Sequence, residues 1–351
     1  MSEENSNKIK IFNFIFTLLI VVYHLRGIYS FNIQYNNAFD EKILKSFLEI
    51  TDKLGFAAMS FFFMMSGFLF YKNINNEREA TNKIKKRLKT LIIPYFAWNF
   101  LTILLEFILF KKKPILSVKY IAKILFFSPV NGPSWYLIAL FIISCFSPLI
   151  IKFKKNEFVF ILLLLSSFML VNLYGYGIIP RIISQDIWWW LSNMIGYIPA
   201  YLIGAYLGLF KFKKVCEIDN NVLANIIGGI LLAFPFVFEN LFKSMVSHSL
   251  IAYIIIPIGF WCLCRKSMFK KKANICNCSF YIYLLHQPIL IPQIDNIFLS
   301  ALNNKPVSGI GFINIRFAEL LLVIIISFVI WKISKKILNN KIERIFSGER
   351  G

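Results

Sequence analysis

His24 and His286 are the side chains in this 351-residue chain whose type and position best suit proton transfer. Both fall inside long apolar stretches, where a polar side chain is costly unless it lines a cavity or binds something. An imidazole that titrates near neutral pH can take a proton from a hydroxyl group and later return it, which suits acyl or phosphoryl transfer to an alcohol. The alternative is that each histidine makes a structural hydrogen bond between two helices.

The elements that position these histidines are membrane helices. The chain is 58% hydrophobic and 16% charged, with a mean hydropathy of +0.64, and one soluble core cannot bury that much apolar surface. Crossing a bilayer takes about 20 apolar residues. The sequence therefore predicts an all-α integral membrane protein with ten transmembrane helices in one domain covering residues 1–351. The predicted helices are Ile11–Tyr29, Gly55–Tyr71, Thr90–Phe110, Ser134–Ile151, Glu157–Tyr174, Trp188–Phe210, Asn221–Phe238, Ser247–Cys264, Cys278–Gln293 and Ile313–Ile333.

The basic residues predict the orientation, because Lys and Arg collect in short cytoplasmic loops. The even-numbered loops and the C-terminal tail are basic, so both termini are expected in the cytoplasm. Their cations are Arg78, Lys83, Lys85, Lys86 and Arg87; Lys152, Lys154 and Lys155; Lys211, Lys213 and Lys214; Arg265, Lys266, Lys270, Lys271 and Lys272; and Lys335, Lys336, Lys341 and Arg344. The net charge of +21 is then a topology signal, and no nucleic-acid partner is expected. Lys111, Lys112 and Lys113 run against this pattern, because they fall in a predicted external loop.

The six cysteines do not form a disulfide framework, and we expect reduced thiols. Two C-x-C steps, Cys262 with Cys264 and Cys276 with Cys278, flank one loop. At helix ends, residues two apart point to different faces, so we expect no metal site.

Four segments together resemble the acyltransferase 3 family of membrane O-acyltransferases. They are FFFMMSGFL at 61–69, KKRLKTLIIPYF at 85–96, PSWYLIALF at 133–141 and SFYIYLLH at 279–286. Their order and spacing agree with the family over nearly the whole chain, including the helix count. The family's first helix carries an arginine and, after ten further residues, an essential histidine; here the histidine is His24, but the arginine position holds Asn13. The family's late E-x-P signature is also missing from the tenth helix.

The resemblance implies transfer of an acyl group, usually acetyl, from cytoplasmic acyl-coenzyme A to a hydroxyl of a cell-surface polysaccharide or lipid-linked sugar in a bacterial plasma membrane. It implies His24 as the general base on that hydroxyl and Arg87 near the donor phosphates. Lys86 and its basic neighbours could attract the phosphates or only enforce topology. The small Gly67 would admit either a neighbouring helix or a pantetheine-like chain.

Three other side chains are candidates for the catalytic or acceptor site. Ser66 would need an adjacent base to act as a nucleophile, so we expect it to orient or support. Tyr283 and Trp135 could stack on a sugar or on the donor adenine, although both residue types also anchor helices at membrane interfaces. Near the outer end of the tenth helix, Glu319 could pair with Arg316 where its carboxylate reaches water.

Two rival functions remain open at this point. A transporter or flippase for a lipid-linked glycan would share the helix count and the basic face, but the halves show no matching repeats or broken helices. A non-catalytic membrane sensor or assembly partner gains support from the missing arginine at position 13.

Overall fold

The computed structural model describes residues 2–27, 31–111, 117, 129–175, 185–217, 222–237, 246–264 and 274–347. Within these ranges the chain is helical, and its only strand-like pairing is a single bridge between Ile33 and Val307. The predicted all-α class is confirmed. The helices are α1 (Glu3–His24), α2 (Ala38–Tyr71), α3 (Glu77–Arg87), α4 (Ile93–Phe110), α5 (Trp135–Cys145), α6 (Ser147–Lys152), α7 (Glu157–Gly175), α8 (Gln185–Phe210), α9 (Phe212–Glu217), α10 (Val222–Val237), α11 (Val246–Leu263), α12 (Ser279–Leu285), α13 (Ile291–Leu302), α14 (Gly309–Ile337) and α15 (Asn340–Ser347).

Five of the described helical segments are long and apolar enough to cross a membrane: α1, α2, the continuous stretch Glu77–Ile108, Trp190–Phe210 and α14. Shorter apolar helices lie within Gly132–Cys145, Glu157–Leu173, Val222–Val237 and Tyr253–Leu263. On α14 an apolar row at every fourth position is exposed, and it comprises Phe317, Leu321, Ile325, Val329 and Ile333. A soluble protein rarely exposes so long an apolar stripe, so this face is suited to lipid.

Helix α2 is the centre of the fold, and it packs most closely against α8. Gly204 of α8 lies against the backbone of α2, where an added Cβ would come within 1.8 Å of the Met64 carbonyl oxygen. Gly67 of α2 makes the reciprocal contact, because its Cβ would lie 2.2 Å from the Tyr201 carbonyl oxygen. Small residues let two membrane helices approach until their backbones touch, which strengthens their dispersion contact without a hydrophobic driving force.

Contacts between helix ends show which ends share a side of the molecule. The buried Lys8 Nζ, near the start of α1, donates to the carbonyls of Trp261 (2.8 Å) and Cys264 (2.7 Å) at the end of α11. At the other side, the Asp40 carboxylate at the start of α2 accepts from the Gly309 and Ile310 amides (2.9 and 2.7 Å) that begin α14. Each contact satisfies terminal helix groups that have no partner within their own helix.

Helix is present in the described residues of all ten predicted segments, but several bounds differ. Helix α1 begins at Glu3, where Ser2 caps it, eight positions before the predicted start, but it ends at His24, before the predicted end at Tyr29. Helix α2 begins at Ala38, where Asn37 caps it, and so extends well before the predicted apolar window. The predicted ninth helix is interrupted at Gln287, which has extended backbone angles between α12 and α13. The basic residues Lys112, Lys113, Arg265, Lys266 and Lys270–Lys272 lie outside the described residues.

Candidate active site

An open cavity of about 750 Å³ lies where α1 begins and α2 ends. Helix α1 contributes one face to it, with Ser6, Ile9, Lys10, Asn13 and Thr17 at positions that recur with the helical period. The rest of the lining comes from α2, the turn before α4, α5, α12 and the end of α15: Phe62, Met65, Ser66, Leu69, Lys72, Thr90, Leu91, Tyr136, Leu137, Leu140, Cys276, Asn277, Ser279, Phe280, Tyr283 and Ser347.

The cavity has a basic rim and an apolar interior. Lys10 and Lys72 line it at the surface end, and its lining contains no Asp or Glu. Toward the interior the walls are aromatic and aliphatic, and the ring of Tyr283 lies 6.1 Å from that of Tyr136 and 6.3 Å from that of Phe62. A long molecule with an anionic head and a thin, mostly apolar tail would match this arrangement.

His24 and His286 meet immediately beyond this cavity. Their ring centroids are 5.0 Å apart, although the two residues lie in α1 and at the end of α12. The Tyr283 ring, which lines the cavity, is 6.1 Å from the His286 ring. Tyr283 therefore both lines the cavity and neighbours the histidine pair.

His286 is fully buried and its hydrogen bonding defines its tautomer. Its Nδ1 lies 2.7 Å from the Tyr283 carbonyl oxygen and 3.3 Å from the Ile282 carbonyl oxygen. Because carbonyl oxygens only accept, we assign the proton to Nδ1 of the neutral ring. Nε2 is then a lone-pair acceptor, and it is buried without a hydrogen-bond partner. An unsatisfied buried nitrogen is costly for a purely structural side chain, and it is available for a proton or a substrate.

A buried polar network fixes the backbone on which Tyr283 and His286 lie. The Asn131 Nδ2 donates to Thr102 Oγ1 (3.0 Å) and to the Leu284 carbonyl (2.8 Å), and the Tyr283 hydroxyl donates to the Pro133 carbonyl (2.6 Å). The loop before α5 is thus joined to α12 at two successive residues, Tyr283 and Leu284.

A family model described as an acyltransferase domain, that of the acyltransferase 3 family, matches residues 8–332 of the 351-residue chain. The chain belongs to this family. The resemblance carried by the four segments is confirmed, and this acyltransferase 3 chain is a membrane acyltransferase in general terms. No curated protein and no solved structure matches the chain.

In this acyltransferase 3 chain, Ser66 and Arg87 form one buried unit. The Arg87 Nη2 donates to the Ser66 carbonyl (3.0 Å) and to Ser66 Oγ (2.8 Å), and its guanidinium carbon lies 4.3 Å from the Phe70 ring centroid. Ser66 lines the cavity, whereas Arg87 is 5% exposed and lies behind it. The predicted contact of Arg87 with donor phosphates stays a prediction, and the observed geometry favours a role in holding Ser66.

The other predicted residues occupy different surroundings. Lys86 is exposed on α3 and does not line the cavity. The space beside Gly67 is occupied by the backbone of α8. Trp135 packs on Phe63 and Tyr197, with ring centroids 6.0 and 6.1 Å away, and it too is absent from the lining. Of the sequence candidates, the structure therefore places Ser66 and Tyr283 on the cavity and His24 with His286 beyond it.

The carboxyl end of α1 is held by charged pairs that the sequence predicted only in part. Arg316 pairs with Glu319, as predicted, but also with Asp295, and its Nη2 donates to the Gly27 carbonyl at 2.5 Å. The expectation that the Glu319 carboxylate reaches water is wrong, because Glu319 is fully buried beneath this network. Arg26 pairs with Asp52, and both side chains are about one-third exposed beside His24.

Sequence reasoning missed Lys72, Thr102 and Asn131. Asn131 and Thr102 carried a detectable signal, since each is a polar residue within or beside an apolar segment. Lys72 gave none beyond its position directly after α2. Among the described residues, no group of three or more His, Cys, Asp or Glu side chains could hold a metal ion.

Proposed function

We propose that this acyltransferase moves an acetyl group from cytoplasmic acetyl-coenzyme A to a hydroxyl of a cell-surface polysaccharide or lipid-linked sugar. The observation that carries the proposal is the meeting of His24 and His286 beyond the inner end of a basic-rimmed cavity. Such a pair can move the proton that O-acylation must move. Its position, beside the Tyr283 ring that lines the cavity, suits attack by an acceptor that comes from the opposite side.

The donor would enter the cavity with its reactive end first. Lys10 and Lys72 line the rim and would attract the phosphates of the nucleotide end. The apolar walls at Met65, Leu69 and Leu140 suit the pantetheine arm and the acyl group. The thioester would then lie beside Tyr283, with its carbonyl carbon and its sulfur within reach of the histidine pair.

The chemistry assigned to the site is direct acyl transfer. His24 takes the proton from the acceptor hydroxyl as its oxygen attacks the thioester carbonyl carbon. The new C–O ester bond forms and the C–S bond breaks, and the proton passes from His24 to the departing coenzyme A sulfur. We assign His286 to accept a hydrogen bond at Nε2 and so orient or stabilise His24 as its ring becomes charged.

The membrane arrangement proposed with this function has ten spans, with both termini in the cytoplasm. It is supported by the pairing of helix ends, since the start of α1 contacts the end of α11 and the end of α1 contacts the start of α14. With the amino terminus inside, the cavity rim faces the cytoplasmic donor pool and His24 lies toward the outer leaflet. A bacterial plasma membrane and its lipids would surround the exposed stripe of α14.

The test is acetyl-coenzyme A turnover by purified protein in lipid nanodiscs, followed as free-thiol release in the presence of added glycan acceptors. We expect His24→Ala to lower kcat by at least about 100-fold, the usual contribution of a general base. His248→Ala, which removes the third histidine, serves as the matched control and is expected to retain activity.

Two outcomes would overturn the proposal. Folded wild-type protein that neither binds nor turns over acetyl-coenzyme A would point to a transporter or a non-catalytic partner. Turnover that survives His24→Ala unchanged would leave the enzyme class intact but remove His24 from the mechanism.

A further inference from the structure

The C-terminal helix α15 lies outside the part of the chain that matches the family, since that match ends at residue 332. It is a short amphipathic helix with a defined start, because Asn339 Oδ1 accepts from the amides of Lys341 and Ile342 at 3.0 Å each. Glu343 and Ser347, one turn apart, are buried against the protein, whereas Ile342 is 43% exposed. The helix therefore has one face built to dock on this molecule.

The docking partner is Trp98 of α4. Its indole Nε1 donates to the Phe346 carbonyl at 3.3 Å, and the two rings meet edge to face with centroids 5.6 Å apart. Trp98 is 1% exposed and makes a similar contact, also at 5.6 Å, with Tyr281. Trp98, Tyr281 and Tyr283 belong to one hydrophobic cluster, and Phe346 packs against that cluster, so α15 is packed on the core that also supports α12.

The end of α15 reaches the cavity itself. Ser347 lies 5% exposed on its lining, together with Lys10 and Lys72 of the basic rim. Phe346, the preceding residue, packs against the same hydrophobic cluster as α1 and α12. A helix beyond the matched residues thus supplies part of the wall at the end of the cavity where the polar head of a donor would enter.

We propose that α15 is a donor-retaining wall: it narrows the entrance of the cavity and holds the nucleotide–pantetheine part of acyl-coenzyme A in place. This inference rests on the proposed function for the identity of the donor, but not for the position of the wall. It makes Phe346 a positioning residue, because the Phe346 ring acts through its contact with Trp98 rather than by touching the reacting atoms.

Two alanine substitutions in α15, one at a docked residue and one at an exposed residue, test the proposal. Phe346→Ala removes the docked ring, and Ile342→Ala removes an exposed side chain from the same helix. We expect Phe346→Ala to raise KM for acetyl-coenzyme A about fivefold, with kcat little changed, because losing the Phe346–Trp98 contact, worth about 1 kcal/mol, shifts α15 away from its docked position and only docked α15 retains the donor. Ile342→Ala is expected to leave both constants as in the wild type.

A second readout does not depend on turnover. Cys276 lines the cavity and is 8% exposed, so the rate at which a maleimide labels Cys276, followed by peptide mass spectrometry, reports how open the entrance is. We expect Phe346→Ala to speed this labelling and Ile342→Ala to leave it unchanged. If Phe346→Ala fails to fold, Trp98→Phe keeps an aromatic ring while it removes the indole N–H that donates to the Phe346 carbonyl and part of the ring volume, and it should give a smaller change in the same direction.

The two proposals fail in different ways. If wild-type protein does not bind acetyl-coenzyme A, the proposed function fails, while Cys276 labelling still tests the wall. If folded Phe346→Ala has wild-type KM and wild-type Cys276 labelling, α15 does not narrow the entrance and the inference is overturned. A fall in kcat alone would likewise refute it, because a donor-retaining wall acts on binding.

Discussion

Replacing Arg87 by alanine separates the two roles that this arginine can have. In the structure its Nη2 makes two hydrogen bonds to Ser66, at 2.8 and 3.0 Å, and its guanidinium stacks on Phe70. Hydrogen bonds from a charged donor contribute about 1.5–3 kcal/mol each, and the cost of burying the charge offsets part of this. We therefore expect Arg87→Ala to lower the free energy of unfolding by about 2–4 kcal/mol.

The assay combines denaturant unfolding in detergent with donor kinetics in nanodiscs. Lys86→Ala is the matched control, because it removes one positive charge from the adjacent, exposed position, and we expect it to change stability by less than about 0.5 kcal/mol. Lys10→Ala, at the cavity rim, should raise the donor KM without loss of stability. The reasoning would be refuted if Arg87→Ala unfolded like the wild type and raised the donor KM, since Arg87 would then bind phosphates as the family resemblance implies.

Three further changes test how the scaffold holds the site. Gly204→Ala should destabilise the protein by about 2 kcal/mol or more through overpacking, whereas Gly196→Ala, with open space around the new Cβ, should not; thermal unfolding of the pair decides. Asn131→Ala removes both hydrogen bonds of its amide and should lower kcat about tenfold with donor KM unchanged, because it loosens the backbone that carries the histidine. Asp40→Asn removes the negative charge that faces the amides at the start of α14, and it should lower the free energy of unfolding by about 1 kcal/mol. An unchanged midpoint of denaturant unfolding would contradict this expectation.

Much of the fold was predictable because a segment that crosses a bilayer must be apolar along its length, and hydropathy detects such segments. Helix in the described part of each apolar segment follows from the need to satisfy backbone groups internally. The bounds were less accessible, as α2 shows: it begins at Ala38, 17 positions before the predicted start at Gly55. That first half carries Asp40 and other charged residues and continues as helix outside the apolar window, so hydropathy alone does not detect it.

The site was predictable residue by residue but not as an arrangement. Sequence located His24 and His286 as costly polar groups in apolar segments, yet their meeting depends on the packing of α1 against α12 across most of the chain. Gly67 was correctly read as a position of close approach, but only the structure shows that the approaching chain is the backbone of α8. Long-range pairing of this kind leaves no local pattern in a single sequence.

The geometry of α1 shows what the replacement of the family's first-helix arginine by Asn13 can and cannot affect. Residues 13 and 24 are separated by about 16 Å along α1 at 1.5 Å per residue, so a side chain at position 13 lies too far away to orient the imidazole of His24. Asn13 lines the cavity instead, and Lys10, one turn earlier on the same face, lines it too. A cation is therefore retained within one turn of the missing arginine. We infer that the departure alters how the donor end is held and leaves the His24–His286 pair as it is, which argues against a chain that has lost its chemistry.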